Sequence, residues 1–573
     1  MVLAAALCAQ SQPARACGGF FCSAQQGVNQ AAERIIFADN ADGTITAVIQ
    51  ILYQGPADHF SWLLPISTVP EGDELAVASD LAFTRLQAAT NPQYNLTTRL
   101  EGPCAVSRSV RGSVDVSPVA AESCSGNPAL GGCGDAVTVE ASGVVGEFQW
   151  SVIRVSDPNA DPAAPALEWL QQNGYDVTPE GAALIGPYLA DGMYLLALKL
   201  VKGADSGSIR PIVLTYAAAA PMIPIKLTAV AANQDMGVMT WALSNARAVP
   251  FNYNALELNE ARINWFNASS NYNQVVTEAA DAAGGQGFVT EFAGSSSPLA
   301  NAIWTASEDL QWQAIRGRSY LDFDQLFQTL LGNYQGYSGF WEGVRRAVVL
   351  PPNVSFEDFK ACPGCYTGRI EFSPSNLFSA LDASVIEPMR SVRRLFDRAP
   401  YTTRLYSTLS AAEMTVDPVF VFNPDLPEVS NVHQATRVLE CQRGQADFEA
   451  PWRIELPQGS VIRGTPDATG SWPQEVSAQP ANFRVLAQSS SGEGRVVDDN
   501  ADEINTLLAS YNAELPSGSG NGSAQASERG GFCSFGTPPG GSTGSLPLAL
   551  GCSALIGSAW LRRRRRVVEK GHS

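Results

Sequence analysis

Cys362 and Cys365 stand in a Cys-Pro-Gly-Cys run, a spacing at which two thiols can exchange with a disulfide or contribute to a metal site. Redox work needs a thiolate, whose charge a helix N-terminus usually stabilises. The residues that follow, 366–372, read as turn and strand instead, which favours a structural bridge. Zinc would need four ligands, and the sequence has neither a second Cys-x-x-Cys nor a nearby histidine pair, so no metal is expected.

Histidine is scarce, with 3 in the chain: His59, His433 and His572. His572 lies in the tail, so a nucleophile that needs an imidazole base must use His59 or His433. His59 precedes Phe60 and Trp62 at a strand start and His433 lies in a polar loop, so packing or surface placement is expected for both. The one Gly-x-Ser-x-Gly, at 540–544, sits in Gly/Ser-rich sequence with no strand before it, and a nucleophile elbow cannot form there. Asp498, Asn500 and Asp502 alternate like the start of a calcium loop. Glu503 and Ala509, however, occupy the places of its glycine and closing glutamate. An acidic helix N-terminus is the expectation, since carboxylates there meet the positive end of the dipole. Carboxylate pairs for glycoside hydrolysis cannot be picked out of 56 acidic residues without geometry. The tryptophans, among them Trp62, Trp150, Trp169, Trp241, Trp265, Trp304 and Trp312, are dispersed enough to predict core packing rather than a sugar platform. No catalytic residue and no cofactor is assigned.

The elements that must hold these residues are mixed. Segments 33–38 and 44–54 are β-branched runs around Asn40-Ala41-Asp42-Gly43, a hairpin signal, and 60–66 reads as a third strand extending it. A helix is predicted over 79–89, with Ser79 or Asp80 as cap. Strands are predicted in 136–155, 193–201, 209–216 and 225–231, with helices at 166–172 and 179–189 between them. Beyond residue 252, helical spacing of apolar residues runs through 255–266, 273–283, 322–331 and 377–397. After Cys441 the chain is rich in Pro and Gly, with short strand-like pieces and a last helix at 501–511.

Both ends point to export. Residues 1–16 open apolar and close on Ala14-Arg15-Ala16, a small-x-small cleavage site before Cys17. Ordinary cleavage is the expectation, with lipidation of Cys17 and no signal at all as alternatives. At the other end, a Gly/Ser-rich linker (516–544) leads to an apolar run (545–561), which spans about 25 Å as a helix. That is the short end of what crosses a bilayer. Arg562, Arg563, Arg564, Arg565 and Arg566 follow and would resist translocation. Of 11 cysteines, Cys8 falls in the leader and Cys533 and Cys552 in the tail. Cys17, Cys22, Cys104, Cys124, Cys133, Cys362, Cys365 and Cys441 remain as an even set. In an exported chain such a set suggests four disulfides, in any of on the order of a hundred connectivities.

The whole chain carries a formal net charge of −19. Setting aside the basic residues of leader and tail makes the body more acidic still. That argues against nucleic acid, which selects basic faces.

The run Cys17-Gly-Gly-Phe-Phe-Cys22 followed by AERIIFADNADGTITAVIQILYQGPADHFSWLLPI resembles a bacterial family, the domain of unknown function 2330. So do LADGMYLLALKLV, SIRPIVLTYAAAAPMIPIKLTAVAA and FEDFKACPGCY further on. The resemblance covers about 17–441 and implies an exported protein without an established activity. The tail is similar to the myxobacterial C-terminal sorting signal, and by that likeness Cys533 would be the point of cleavage and attachment by a sorting protease.

Together these readings predict an α+β fold, with mixed and antiparallel strands in the N-terminal half, a helix-rich second half, and disulfide staples. The expected parts are a signal peptide (1–16), a β-rich part (17–250), a helix-rich part (251–440) and a small extension (441–515). The linker, the transmembrane or sorting helix and a basic cytoplasmic tail (562–573) follow. The expected function is that of an exported cell-envelope protein held at the membrane by its C-terminal tail, acting by binding or as a structural surface component. The alternative is an extracellular enzyme, either a carboxylate-based hydrolase or a thiol-disulfide oxidoreductase using Cys362 and Cys365.

Overall fold

The Asn40–Gly43 turn shows how local chemistry starts the fold. Asp42 Oδ1 accepts from both the amide and the hydroxyl of Thr44, while Asn40 Nδ2 donates to the hydroxyls of Thr44 and Thr46. Gly43 takes φ +87°, a left-handed value that a side chain would strain. The turn reverses strand β1 (Asn29–Asp39) into β2 (Thr44–Gln54), with Asp39 opposite Ile45.

The computed structural model describes residues 29–54, 60–71, 74–103, 137–155, 162–175, 179–200, 209–466 and 472–515. All of them lie in one unit, Met1–Gly518.

The hairpin is the heart of a ten-stranded sheet. Its other strands are β3 (Leu75–Val77), β4 (Ile212–Ala217), β5 (Ala232–Ser244), β6 (Asn254–Leu258) and β7 (Gly287–Ser295), then β8 (Tyr401–Leu409), β9 (Asn482–Ala487) and β10 (Arg495–Asp499). The order across the sheet is β10-β9-β6-β7-β8-β5-β1-β2-β4-β3. The β1–β5 and β6–β7 pairs are parallel, and the others are antiparallel. The sheet takes strands from both halves of the chain.

Alternation along β1 and β2 sets the layers, because successive side chains point to opposite faces. Ile36, Ala38 and Val48 join a core with the helices, including Asp80–Thr90, Tyr272–Ala282, Phe323–Tyr334 and Glu387–Arg398. Ile35, Phe37, Ile45, Ala47 and Ile49 face a second, four-stranded sheet of Ser61–Ile66, Tyr194–Leu200, Phe148–Val155 and Val137–Val145. The outer face of that sheet packs Leu63, Ile153, Leu195 and Ala197 against helices Ala163–Gln172 and Pro179–Ala190. The result is a helix, sheet, sheet, helix stack of the α+β class. Another four-stranded sheet, ordered Val461–Gly464, Trp452–Glu455, Val432–Glu440, Gln93–Glu101, adjoins the first helical layer.

Some local expectations change. The 60–66 strand pairs with Tyr194–Leu200 in the second sheet and does not extend the hairpin. Residues 225–231, expected as strand, begin with the helical turn Ile225–Thr228 after Pro224. The helix expected at 255–266 is strand β6 and the 3-10 turn Glu260–Arg262. Ala255 pairs there with Phe288 on one side and Leu486 on the other, and two ladders of tertiary hydrogen bonds outweigh helical propensity. Ser79 takes the cap position of its helix, but its side chain makes no capping bond.

Candidate functional site

One group of buried charges lies on the helical face of the large sheet. Glu291 is the extra residue of a β-bulge: Thr290 lies opposite Leu405 and Phe292 opposite Arg404, so Glu291 has no partner of its own in the ladder. A bulge re-aims a side chain, and the one here meets Arg404. Both are only 2% exposed, and Arg404 Nε lies 2.5 Å from Glu291 Oε2. The Tyr272 hydroxyl donates to Glu291 Oε1 at 2.6 Å. Arg404 Nη1 donates to the carbonyl of Gln87, the hydroxyl of Thr90 and Oδ1 of Asn91, at the C-terminal end of helix Asp80–Thr90, where a cation meets the negative end of the dipole. Trp241 closes this end: its indole N–H donates to Thr90 Oγ1, and its ring lies 5.5 Å from the guanidinium.

His433 enters from the neighbouring small sheet. It lies on strand Val432–Glu440, not in a loop, and parallel register sets it directly opposite Tyr94. The two rings stack at 4.5 Å and 11°. His433 Nδ1 is 2.6 Å from Oε1 of Glu260, which the 3-10 turn after β6 presents. Tyr94 also meets Trp265 edge-on at 5.0 Å and lies 6.0 Å from Tyr272, which brings the His433 and Arg404 groups together. Burial holds the phenols of Tyr94 and Tyr272 well above their usual range, with nearby Glu291 adding to the effect at both. Both therefore stay neutral at physiological pH. Burial also pushes the Glu291 carboxyl up, against the opposing pull of Arg404.

Chemically, a carboxylate on Nδ1 fixes an imidazole's orientation, as the orienting acid of a catalytic base does. His433 is a quarter exposed on its side chain. Its remaining contacts, though, are those of packing.

The other predicted residues fall as follows. Cys362 and Cys365 are bonded to each other. Cys362 is the C-cap of helix Phe356–Ala361, and Cys365 sits in the 3-10 turn Pro363–Tyr366. Cys362 is also the N-cap of that 3-10 turn, so it stands between the negative end of one helix and the positive end of the next. Cys441 is disulfide-bonded as well. Asp502 and Glu503 sit in the first turn of helix Ala501–Glu514, and the Asn500 side chain donates to Asp498. Trp62, Trp241, Trp265, Trp304 and Trp312 are core residues. His59, Cys17, Cys22, Cys104, Cys124, Cys133, Cys533, the 540–544 motif and Arg562–Arg566 lie outside the described residues. Among the described residues no group of three His, Cys, Asp or Glu side chains could hold a metal, and no helix is long and apolar enough to cross a membrane. The 545–561 run lies outside them.

Sequence reasoning passed over Glu260, Glu291, Arg404, Tyr94 and Tyr272. The available signal was a charged residue inside an apolar strand, as in Phe288-Val-Thr-Glu291 and Thr403-Arg404-Leu405.

One acidic group elsewhere gives a pH test. Asp281 ends helix Tyr272–Ala282, and burial followed by the nearby charges of Glu413 and Asp235 raises its pKa above the usual aspartate value. A raised carboxyl contributes stability below its unfolded pKa and loses it as pH rises through the folded value. Asp281→Asn is therefore expected to stabilise the protein by about 0.5 kcal/mol at pH 7 in low salt and not at pH 3, as read from urea melts at both pH values.

Residues 11–321 match the model of a family described as "Uncharacterized protein conserved in bacteria (DUF2330)". The matched stretch includes Tyr94, Glu260, Tyr272 and Glu291 and ends before Arg404 and His433. No curated protein and no solved structure gives a significant match.

Proposed function

The chain belongs to the DUF2330 family of uncharacterized bacterial proteins, and from that premise we propose that it is an exported cell-envelope component acting by binding. The observation that carries the reading is the state of its buried carboxylates. Glu147 is held by Arg210, Glu291 by Arg404 and Tyr272, and Glu260 by His433. These three carboxylates are committed to partners within the fold, whereas Glu33, buried as well, lines the space between the two large sheets. That space is otherwise lined mainly by apolar side chains, as ligand-binding clefts commonly are.

Closed cysteines at 362–365 and a bonded Cys441 support an oxidising compartment. The sequences of 1–16 and 516–573 support export, followed by attachment through Cys533 or retention of the 545–561 helix with Arg562–Arg566 as its cytoplasmic stop.

Labelling of intact cells with a membrane-impermeant amine reagent tests the placement. Lys360, whose ammonium pairs with Glu357 on a side chain 30% exposed, is expected to be modified before lysis. Labelling only after lysis would remove the envelope reading.

A further inference from the structure

The turn of the β1–β2 hairpin and the end of helix Glu387–Arg398 border a recess of about 380 Å³, within the range of small-molecule clefts. Its buried lining is apolar: Ala38 of β1 with Leu395 and Ala399. Asn40, Asp42, Thr44, Thr46, Thr215 and Arg398 supply the polar side chains of its walls.

The hydrogen bonds within these walls fix which polar groups are left over. A carboxylate only accepts, so the Thr44 hydroxyl gives its proton to Asp42 Oδ1 at 2.6 Å. Thr44 Oγ1 must then accept from Asn40. That sets the Asn40 amide with Nδ2 toward Thr44 and Thr46, at 2.9 and 3.0 Å, and leaves Asn40 Oδ1 as an acceptor without a partner. Buried Thr46 stands opposite Thr215 in the β2–β4 register, with the two hydroxyls 2.9 Å apart. Thr46 passes its proton to Thr215, and the Thr215 proton is left to donate. Asp42 Oδ2 and the Arg398 guanidinium, on two exposed side chains, also have no partner among the described residues and do not pair with each other. The Thr44 hydrogen bonds hold the Asp42 carboxyl below the usual range, so it is ionised at neutral pH.

The recess therefore offers acceptors at Asn40 and Asp42, donors at Thr215 and Arg398, and an apolar lining beneath them. A sugar hydroxyl both donates and accepts, so a ring of hydroxyls can serve both kinds of group. The C–H face of a pyranose meets the apolar lining. A zwitterionic amino acid would answer only Asp42 and Arg398, whose charges stand in water, where an ion pair contributes little.

We propose that this recess binds a neutral hexose, its hydroxyls bridging Asn40 and Asp42 to Thr215 and Arg398. The inference rests on the binding reading above and assigns it a place and a ligand class. No aromatic ring lines the recess, so affinity in the millimolar range is expected.

The test is isothermal titration of the purified protein with glucose, galactose, mannose and N-acetylglucosamine, and with alanine as the zwitterion. Saturable binding of at least one sugar at one site is expected, with none for alanine. Thr215→Val and Arg398→Met alter partly and fully exposed side chains and leave the fold in place, as urea melts would confirm. Each is expected to weaken that sugar about tenfold, the cost of one lost hydrogen bond at the upper end of the usual range. No saturable heat with any sugar, alanine binding in their place, or unchanged sugar binding in either variant would overturn the inference. None of these outcomes bears on surface placement, which cell labelling reads separately.

Discussion

Replacing Arg404 with methionine is expected to destabilise the protein by about 3–5 kcal/mol, a large share of what holds an ordinary domain together. The loss comes less from the ion pair than from what is left behind. Glu291 is 2% exposed at a bulge in the middle of the sheet and would keep one phenolic hydrogen bond and no counter-charge. Gln87 O, Thr90 Oγ1 and Asn91 Oδ1 would lose the guanidinium they share. Adding Glu291→Leu to Arg404→Met should recover most of the stability, because removing both charges leaves no stranded ion. Urea unfolding followed by tryptophan fluorescence reads both variants. A single-variant loss under about 1 kcal/mol would mean that this pair is open to water.

Arg210→Met is expected to cost a similar amount, about 3–5 kcal/mol, at a different seam. Arg210 is 4% exposed, and its Nε donates to Glu147 Oε2 at 3.0 Å, while its own amide donates to Glu147 Oε1. Nη2 donates to Glu342 and Nη1 to the carbonyl of Ser384 at 3.2 Å. Ser384 lies in a π-helical turn, Asp382–Ile386, whose widened hydrogen bonding lets a carbonyl turn outward. One arginine thus ties the 137–155 hairpin to helix Phe340–Ala347 and the π turn. Gly339 permits the approach. It sits at φ +83°, and a Cβ there would lie 2.2 Å from Ser384 O and 2.7 Å from Arg210 Nη1. Gly339→Ala should therefore lower the midpoint of the urea transition with Arg210 still in place. A wild-type midpoint in Gly339→Ala would show that the three segments are not held through this arginine.

The two nodes show what the sequence could and could not reveal. The β1–β2 hairpin was legible because its signal is local: turn residues at fixed offsets between β-branched runs. Helices such as Tyr272–Ala282 and Phe323–Tyr334 were legible from apolar spacing. Strand β6 was not, because Ala255 and Leu256 become strand through partners at 288 and 486 that no short window contains. The site was hidden for the same reason, with His433 and Glu260 standing 173 residues apart. Where the sequence did place chemistry, at Cys362 and Cys365, the expectation of turn and strand after the pair held, with a turn at 367–369 and strand Glu371–Phe372.

The most direct test of an exported, disulfide-stapled binding protein is a peptide map, without reduction, of the protein isolated from its native envelope. Mass spectrometry is expected to find an N-terminus at Cys17, a C-terminus near Cys533, Cys362 and Cys365 in one bridged peptide, and Cys441 bridged as well. Free thiols at Cys362 and Cys365, on a chain that still begins at Met1, would contradict it.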